Sequence, residues 1–284
     1  MTEPTIPTTT AHGGLTLPVL GFGTYKLKGQ AGTAAIEGAI RNGYTLLDSA
    51  FNYENEGTVG AAVRASARHH AARDELIVTS KLPGRHHQHD AASATIEESV
   101  ARTGLECIDL YLIHWPNPNV GKYVEAWRAL IEAKERGLVS AIGVCNFLPE
   151  HLDRLQTETG VLPEVNQIEL HPHFPQEEQL AYDREHGIIT QAWSPLGRGG
   201  DVLAEPEVLK VAATHGATPG QVILAWGIAR GVVPVPKASS EARQRENLGA
   251  LDLRLRDDEV AAITALGRPD GRLSDQDPAI YEEF

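Results

Sequence analysis

Residues 108–144 read IDLYLIHWPNPNVGKYVEAWRALIEAKERGLVSAIGV. The stretch opens on a short apolar run, Ile108–Ile113, passes through a helical pattern, Tyr123–Glu135, and closes on a second apolar run, Val139–Val144. Strand, helix and strand in that order imply two parallel strands joined by a crossover helix. His114 and Trp115 stand directly after the first of these strands.

The same unit repeats in both directions. Upstream, strands are expected at Val19–Phe22, Tyr44–Leu47 and Leu76–Thr79, with helices at Gly32–Arg41, Asn55–His69 and Ala91–Arg102. Asp90 is the expected N-cap of the third helix. Downstream come helix Leu148–Glu158, strand Val165–Ile168, helix Glu177–His186 and strand Ile188–Ala192. Helices near Glu207–Thr214 and Pro219–Ala229, strand Val232–Val235 and helix Glu241–Leu251 complete the series. Eight β/α units are the number that closes a (β/α)8 TIM barrel. A hairpin over Thr8–Pro18, turning at Gly13-Gly14, is expected to cover the barrel bottom. The Pro-, Gly- and Asp-rich tail after Gly267 is expected to wrap as a loop over the site. No linker divides the chain, so residues 1–284 are read as one domain.

The bulk properties fit a globular α/β protein: hydrophobic residues are 42% and charged residues 22% of 284, which excludes wholesale disorder. The net charge of −13 disfavours nucleic-acid binding and docking on anionic membranes. A phosphate-bearing ligand must then be gripped by local cations. Cys107 and Cys145 form no C-x-x-C pair, which argues against a disulfide framework and a cysteine zinc site. The start, MTEPTIPTTTAHGG, lacks a signal peptide's basic and apolar regions, and no run reaches the ~18 apolar residues of a membrane span. The expected location is the cytoplasm.

In such a barrel the site lies at the C-terminal strand ends. There the sequence offers Gly23 and Thr24, then Asp48 with Tyr53 five residues on, then Lys81, His114 with Trp115, and Asn146. Gln167 and Glu169, Trp193 and Ser194, and finally Lys237 follow on the remaining strands. A free tyrosine, with a pKa near 10, is a poor proton donor at neutral pH. The Lys81 ammonium is expected to lower it, Asp48 to keep Lys81 charged and in place, and His114 to orient a substrate oxygen. That set suits carbonyl reduction, where oxygen gains a proton as carbon gains a hydride.

At this point the chain resembles the aldo-keto reductase family. The matching segments are Gly21-Phe-Gly-Thr24, Asp48-Ser-Ala-Phe-Asn-Tyr53-Glu-Asn-Glu56, Ser80-Lys81, Leu112-Ile-His114-Trp-Pro116 and Ile142-Gly-Val-Cys-Asn-Phe147. Asn166-Gln167, Trp193-Ser-Pro-Leu-Gly197 and Val235-Pro-Lys237 with Arg243 and Glu246-Asn247 extend the match. It runs from about residue 12 to the C-terminus and is similar to the bacterial branch that includes 2,5-diketo-D-gluconate reductases. The resemblance implies NADPH-dependent reduction of aldehydes or ketones, with NADH accepted less well, and a small carbonyl compound as substrate. It implies Tyr53 as general acid, completed by Asp48, Lys81 and His114. For the cofactor it implies Gly23, Thr24 and Asp48, with Asn146 and Gln167 on the carboxamide and Trp193 stacked on the nicotinamide. Ser194, Leu196 and Gly197 would line the pyrophosphate, Lys237 and Arg243 grip the 2′-phosphate with Ser239 nearby, and Glu246 and Asn247 take the adenine. Tyr25, Asn52, Trp115 and the C-terminal tail would border the substrate. The resemblance also implies a monomer.

The chain departs from the family pattern in places. Cys145 stands where a serine is frequent, and Ala238 replaces a serine after the phosphate lysine, with Ser239 and Ser240 as substitutes. Leu82-Pro-Gly84 replaces a wall that often carries tryptophan. Trp193 has core packing as a rival role, and Gly197-Arg-Gly-Gly200 reads equally as a phosphate-side loop or a merely mobile one. The cluster His86-His87-x-His89 is read as solvated rather than metal-binding. A binding-only NADP(H) sensor is disfavoured by the intact tetrad, and a metal hydrolase by Gly-Phe-Gly where an H-x-H would stand.

Overall fold

The computed structural model describes residues 6–274 and 276–284. Strands β1 (Thr8–Thr10) and β2 (Thr16–Pro18) form the antiparallel hairpin. Its turn uses Gly14 at φ +95°, in the left-handed region that glycine enters freely. The hairpin is tied to the start of two barrel strands: His12 N donates to Gly187 O (2.8 Å) and Leu15 N to Glu164 Oε2 (2.9 Å). That is the barrel bottom, as expected.

The barrel then proceeds as β3 (Phe22–Gly23), α1 (Gly29–Arg41), β4 (Leu46–Asp48), α2 (Glu56–Ser66), β5 (Ile77–Leu82), α3 (His89–Thr103), β6 (Ile108–Ile113) and α4 (Tyr123–Glu135). It continues with β7 (Val139–Cys145), α5 (Pro149–Thr159), β8 (Val165–Glu169), α6 (Glu177–Glu185) and β9 (Ile189–Trp193). Helices α7 (Pro206–His215) and α8 (Pro219–Ala229), strand β10 (Val233–Pro234), and helices α9 (Glu241–Leu248) and α10 (Asp257–Thr264) complete it. Strands β3 to β10 pair in parallel in sequence order. The ring closes where Gly21 N donates to Pro234 O (2.9 Å) and Gly23 N to Pro236 O (3.0 Å).

Several expectations shift. The first barrel strand lies at Phe22–Gly23 rather than Val19–Phe22, because Val19 N is still bonded to Pro7 O beside the hairpin. Asp90 is not the N-cap of α3: Gln88 holds that place and Asp90 sits in the first turn, where its charge faces the positive helix end. Helix α2 stops at Ser66 instead of His69, and α9 at Leu248, followed by a 3₁₀ turn over Gly249–Asp252. Helix α10 was not expected at all.

Leu17, Leu46, Leu110, Leu112, Val165, Ile189 and Val233 fill the barrel interior. Outside it, Trp127 of α4 is fully buried against β6 and β7, with its indole N–H donating to Val161 O at 3.0 Å. Burying such side chains, at about 2–3 kcal/mol each, holds helices onto the sheet and so fixes the strand ends. Among the described residues no helix is long and apolar enough to cross a membrane. The described part of the tail after Gly267 carries no helix or strand and folds back so that Tyr281 packs on Trp115, ring centres 4.5 Å apart.

Candidate active site

The tetrad residues come from neighbouring strands. Asp48 ends β4, Lys81 lies in β5 and His114 follows β6, so parallel pairing alone brings them side by side. Tyr53 lies on a 3₁₀ turn, Phe51–Tyr53, closed by Glu54 in a left-handed conformation. Asn55 anchors that turn. Its Nδ2 donates to Thr24 O (2.8 Å) and Leu27 O (3.1 Å), and its Oδ1 accepts from Ser49 Oγ (2.7 Å). Thr24 has its own hydroxyl on Asp48 O at 2.8 Å. Gly23 contributes close approach: a Cβ there would stand 2.8 Å from Val235 O.

Lys81 Nζ donates to Asp48 Oδ1 and to Ser49 O, both at 2.7 Å, and lies 5.0 Å from the centre of the Tyr53 ring. The His114 ring stands 6.0 Å from Tyr53 at 77°, and Tyr25, half exposed, packs edge-on to Tyr53 at 5.0 Å. Asp48 Oδ1 also accepts from Gln167 Nε2 at 2.8 Å, and Gln167 Nε2 reaches Gln191 Oε1 at 2.9 Å. Burial opposes the charge on Lys81, but Asp48, with smaller contributions from Tyr53 and Cys145, outweighs it and holds the ammonium well above the ordinary lysine range.

The expected direction for Tyr53 is overturned. Burial pushes its phenol up to about 12; Lys81 pulls it down, and Asp48 pushes it up again. Desolvation of the phenolate is the largest of these influences, and Asp48 offsets part of the Lys81 charge. Tyr53 is therefore a fully protonated donor at neutral pH. The buried ammonium remains beside it, placed to steady the phenolate that proton donation leaves behind.

The remaining candidates form the rim. Asn146 has φ +61° and Ser194 φ +49°, two non-glycine residues in the left-handed region directly after β7 and β9. Such backbone strain concentrates at functional sites. Asn146 Nδ2 donates to His114 O (3.0 Å), and its Oδ1 accepts from Trp193 Nε1 (2.8 Å). Trp193 is half-buried with its indole N–H tied down, so its ring is held at the rim rather than packed in the core. Leu196 packs partly into the core, and Gly197 turns at φ +56° over Val202. Lys237 after β10, Ser239, and Arg243 on α9 are exposed; among the described residues neither cation has an ion pair. Glu246 is half-buried and Asn247 buried, with Asn247 Nδ2 unpartnered. These features fit a dinucleotide: Gln167 Oε1 has no partner among the described residues and can accept from a carboxamide, and Lys237 and Arg243 are exposed cations that could meet a phosphate.

The histidine cluster divides among separate tasks: His86 Nδ1 meets Thr95 Oγ1 at 2.8 Å, His89 Nε2 meets Glu132 Oε1 at 3.0 Å, and His87 is buried. Among the described residues no group of three His, Cys, Asp or Glu side chains could hold a metal.

One site residue was missed. Glu283, on the tail, places Oε1 2.7 Å from His114 Nδ1, although poorly aligned for a hydrogen bond. Sequence reading placed the tail near the substrate but had no local signal to single out this glutamate.

The aldo/keto reductase family model matches residues 19–268. The 2,5-diketo-D-gluconic acid reductase B of Corynebacterium sp. (strain SHS752001) is 50% identical, over 99% of this chain and 100% of its own length. Methylglyoxal reductase DkgA of Yersinia pestis is 41% identical, over 95% of each. Among solved structures, a mutant of Gox0644 in complex with NADPH superposes with a TM-score of 0.92 at 36% identity, covering 98% of this chain and 100% of that one. An aldo-keto reductase of Bombyx mori in complex with NADP gives 0.90 at 30% identity, covering 99% of each chain. On its fold, its strand-end residues and these matches, the chain belongs to the aldo/keto reductase family.

Proposed function

We propose that this NADP-dependent oxidoreductase reduces an aldehyde or ketone to the alcohol, with Tyr53 as the proton donor. The observation that carries the assignment is the Lys81 ammonium, pinned between Asp48 Oδ1 and Ser49 O and facing the Tyr53 ring. When bound, the nicotinamide supplies the hydride to the carbonyl carbon. The carbonyl oxygen then takes the Tyr53 proton, and Lys81 stabilises the phenolate left behind. His114 orients that oxygen through Nε2, since its Nδ1 is buried against Glu283.

Gln167 and Asn146 hold the carboxamide, Trp193 covers the nicotinamide face, and Ser194, Leu196 and Gly197 border the pyrophosphate. Lys237, Arg243 and Ser239 take the 2′-phosphate, favouring NADPH over NADH, and Glu246 and Asn247 take the adenine. Gly23 and Thr24 shape the floor under the cofactor. Tyr25, Asn52 and Trp115 border a small carbonyl substrate. The protein acts in the cytoplasm as a single-domain monomer, without nucleic acid or membrane. A carbonyl panel read by loss of reduced-nicotinamide absorbance, with NADPH and NADH in parallel, tests the reading. Turnover with aldehydes or α-dicarbonyls and NADPH is expected; no turnover with any carbonyl would reject it.

A further inference from the structure

The C-terminal tail returns a carboxylate to the substrate side of the site. Glu283 is only 8% exposed. Its Oε1 accepts from Asn52 Nδ2 (2.8 Å) and lies 2.7 Å from His114 Nδ1, while Oε2 accepts from Gly84 N (2.8 Å). The main chain is clamped as well: Asn117 Nδ2 donates to Glu283 O (2.9 Å), and Glu283 N donates to Asn117 Oδ1 (3.1 Å). Gly84 leaves room for this docking, since a Cβ there would come within 2.6 Å of Glu283 O. Burial disfavours the Glu283 charge, but His114, the Gly84 N–H and Asn52 outweigh it and hold the carboxyl down to about 2.

His114 is in direct contact with this carboxylate; the other cationic groups nearby are engaged elsewhere or neutral. Lys81 is already shared between Asp48 and Ser49. His87 is buried, and burial lowers it to about 4, so it is neutral. Arg85 is exposed, donates to Asn52 Oδ1 at 2.7 Å and lies over the Phe51 ring. The corner beside His114 thus offers donors that suit a carboxylate, and the chain's own carboxylate already fills them.

We propose that Glu283 is a specificity-determining residue: it turns away carbonyl compounds that carry a carboxylate next to the reacting carbonyl. The proposal rests on the reductase reading and narrows its substrate class. An incoming carboxylate meets a like charge in a site shielded from water and finds its donors taken. Neutralising Glu283 removes the repulsion and frees Asn52 Nδ2 and the Gly84 N–H.

The test compares methylglyoxal with glyoxylate, aldehydes of similar size, one neutral and one anionic, using the full-length protein and NADPH. In the wild type the kcat/KM ratio is expected to favour methylglyoxal by about 100-fold or more, and to shrink at least about tenfold in both Glu283→Gln and Glu283→Ala. Benzoate, an unreactive carboxylate, should inhibit Glu283→Ala at least about tenfold more tightly than wild type. Both variants keep the main-chain clamp to Asn117, so the tail stays docked. A ratio unchanged in both variants, or a wild-type preference for glyoxylate, overturns the charge selection alone. Failure of the wild type to reduce any carbonyl in the broader panel overturns the reductase reading, and the proposal with it.

Discussion

Lys81 Nζ stands 2.7 Å from Asp48 Oδ1, with the lysine side chain wholly out of water and the aspartate nearly so. An ion pair of this kind is worth little against an apolar substitute, but breaking it from one side strands a buried charge, at about 3–5 kcal/mol. Asp48→Asn is therefore expected to lower the unfolding free energy from urea titration by that amount, and the double variant Asp48→Asn/Lys81→Met to regain at least half of it. Equal losses in the single and double variants would show that the ammonium is not held by Asp48.

Lys237 and Arg243 are exposed and lack ion pairs among the described residues of a protein with net charge −13. Charge-assisted hydrogen bonds of this type are worth about 1.5–3 kcal/mol each. Lys237→Ala and Arg243→Ala should each weaken NADPH by about 10- to 100-fold and NADH by less than threefold. Equal losses for both nucleotides, measured by fluorescence titration, would remove the phosphate role.

Tyr53, with its phenol raised from 10 to about 12, remains an acid throughout the neutral range. As pH rises from about 10 to 12 the unfolded chain loses this proton first, so the folded state is progressively destabilised there. Carbonyl reduction should show no loss from Tyr53 ionisation below about pH 10, whereas alcohol oxidation, which needs the phenolate as base, should rise with pH. Phenolate absorbance assigned to Tyr53 by difference from Tyr53→Phe, and emerging below about pH 9, would contradict this.

Gly23 lies on the barrel seam, where Pro234 of β10 and Pro236 just after it supply carbonyls that accept but, as prolines, have no N–H to donate. Gly23→Ala would place its Cβ 2.8 Å from Val235 O, a backbone atom with no room to withdraw. A loss of about 1–3 kcal/mol and a lower Tm are expected. An unchanged Tm would mean the seam is looser than its hydrogen bonds indicate.

The eight β/α units were legible because each apolar run and each helical period is local. That Asp48, Lys81 and His114 lie side by side was legible because a parallel sheet puts successive strand ends next to one another. What escaped depended on distant partners or competing energies. The first strand slipped to Phe22–Gly23 because Val19 is claimed by Pro7, a contact no periodicity reports. Helix α10 did carry a signal, the acidic first turn Asp257–Glu259 ahead of Val260 and Ile263, but it is only 8 residues long. The Tyr53 shift needed the burial of the phenol set against the Lys81 and Asp48 charges, which spacing cannot supply. Glu283 escaped because its partner His114 is far back in the chain and the tail has no regular structure to aim it.

The most direct test of the account is a single turnover of Tyr53→Phe preloaded with NADPH and mixed with methylglyoxal. Removing the hydroxyl alone should slow nicotinamide oxidation by at least about 100-fold while NADPH affinity stays within about twofold. Oxidation at the wild-type rate would mean that the proton comes from another group, and the role assigned to the Asp48–Lys81–Tyr53 arrangement would be wrong.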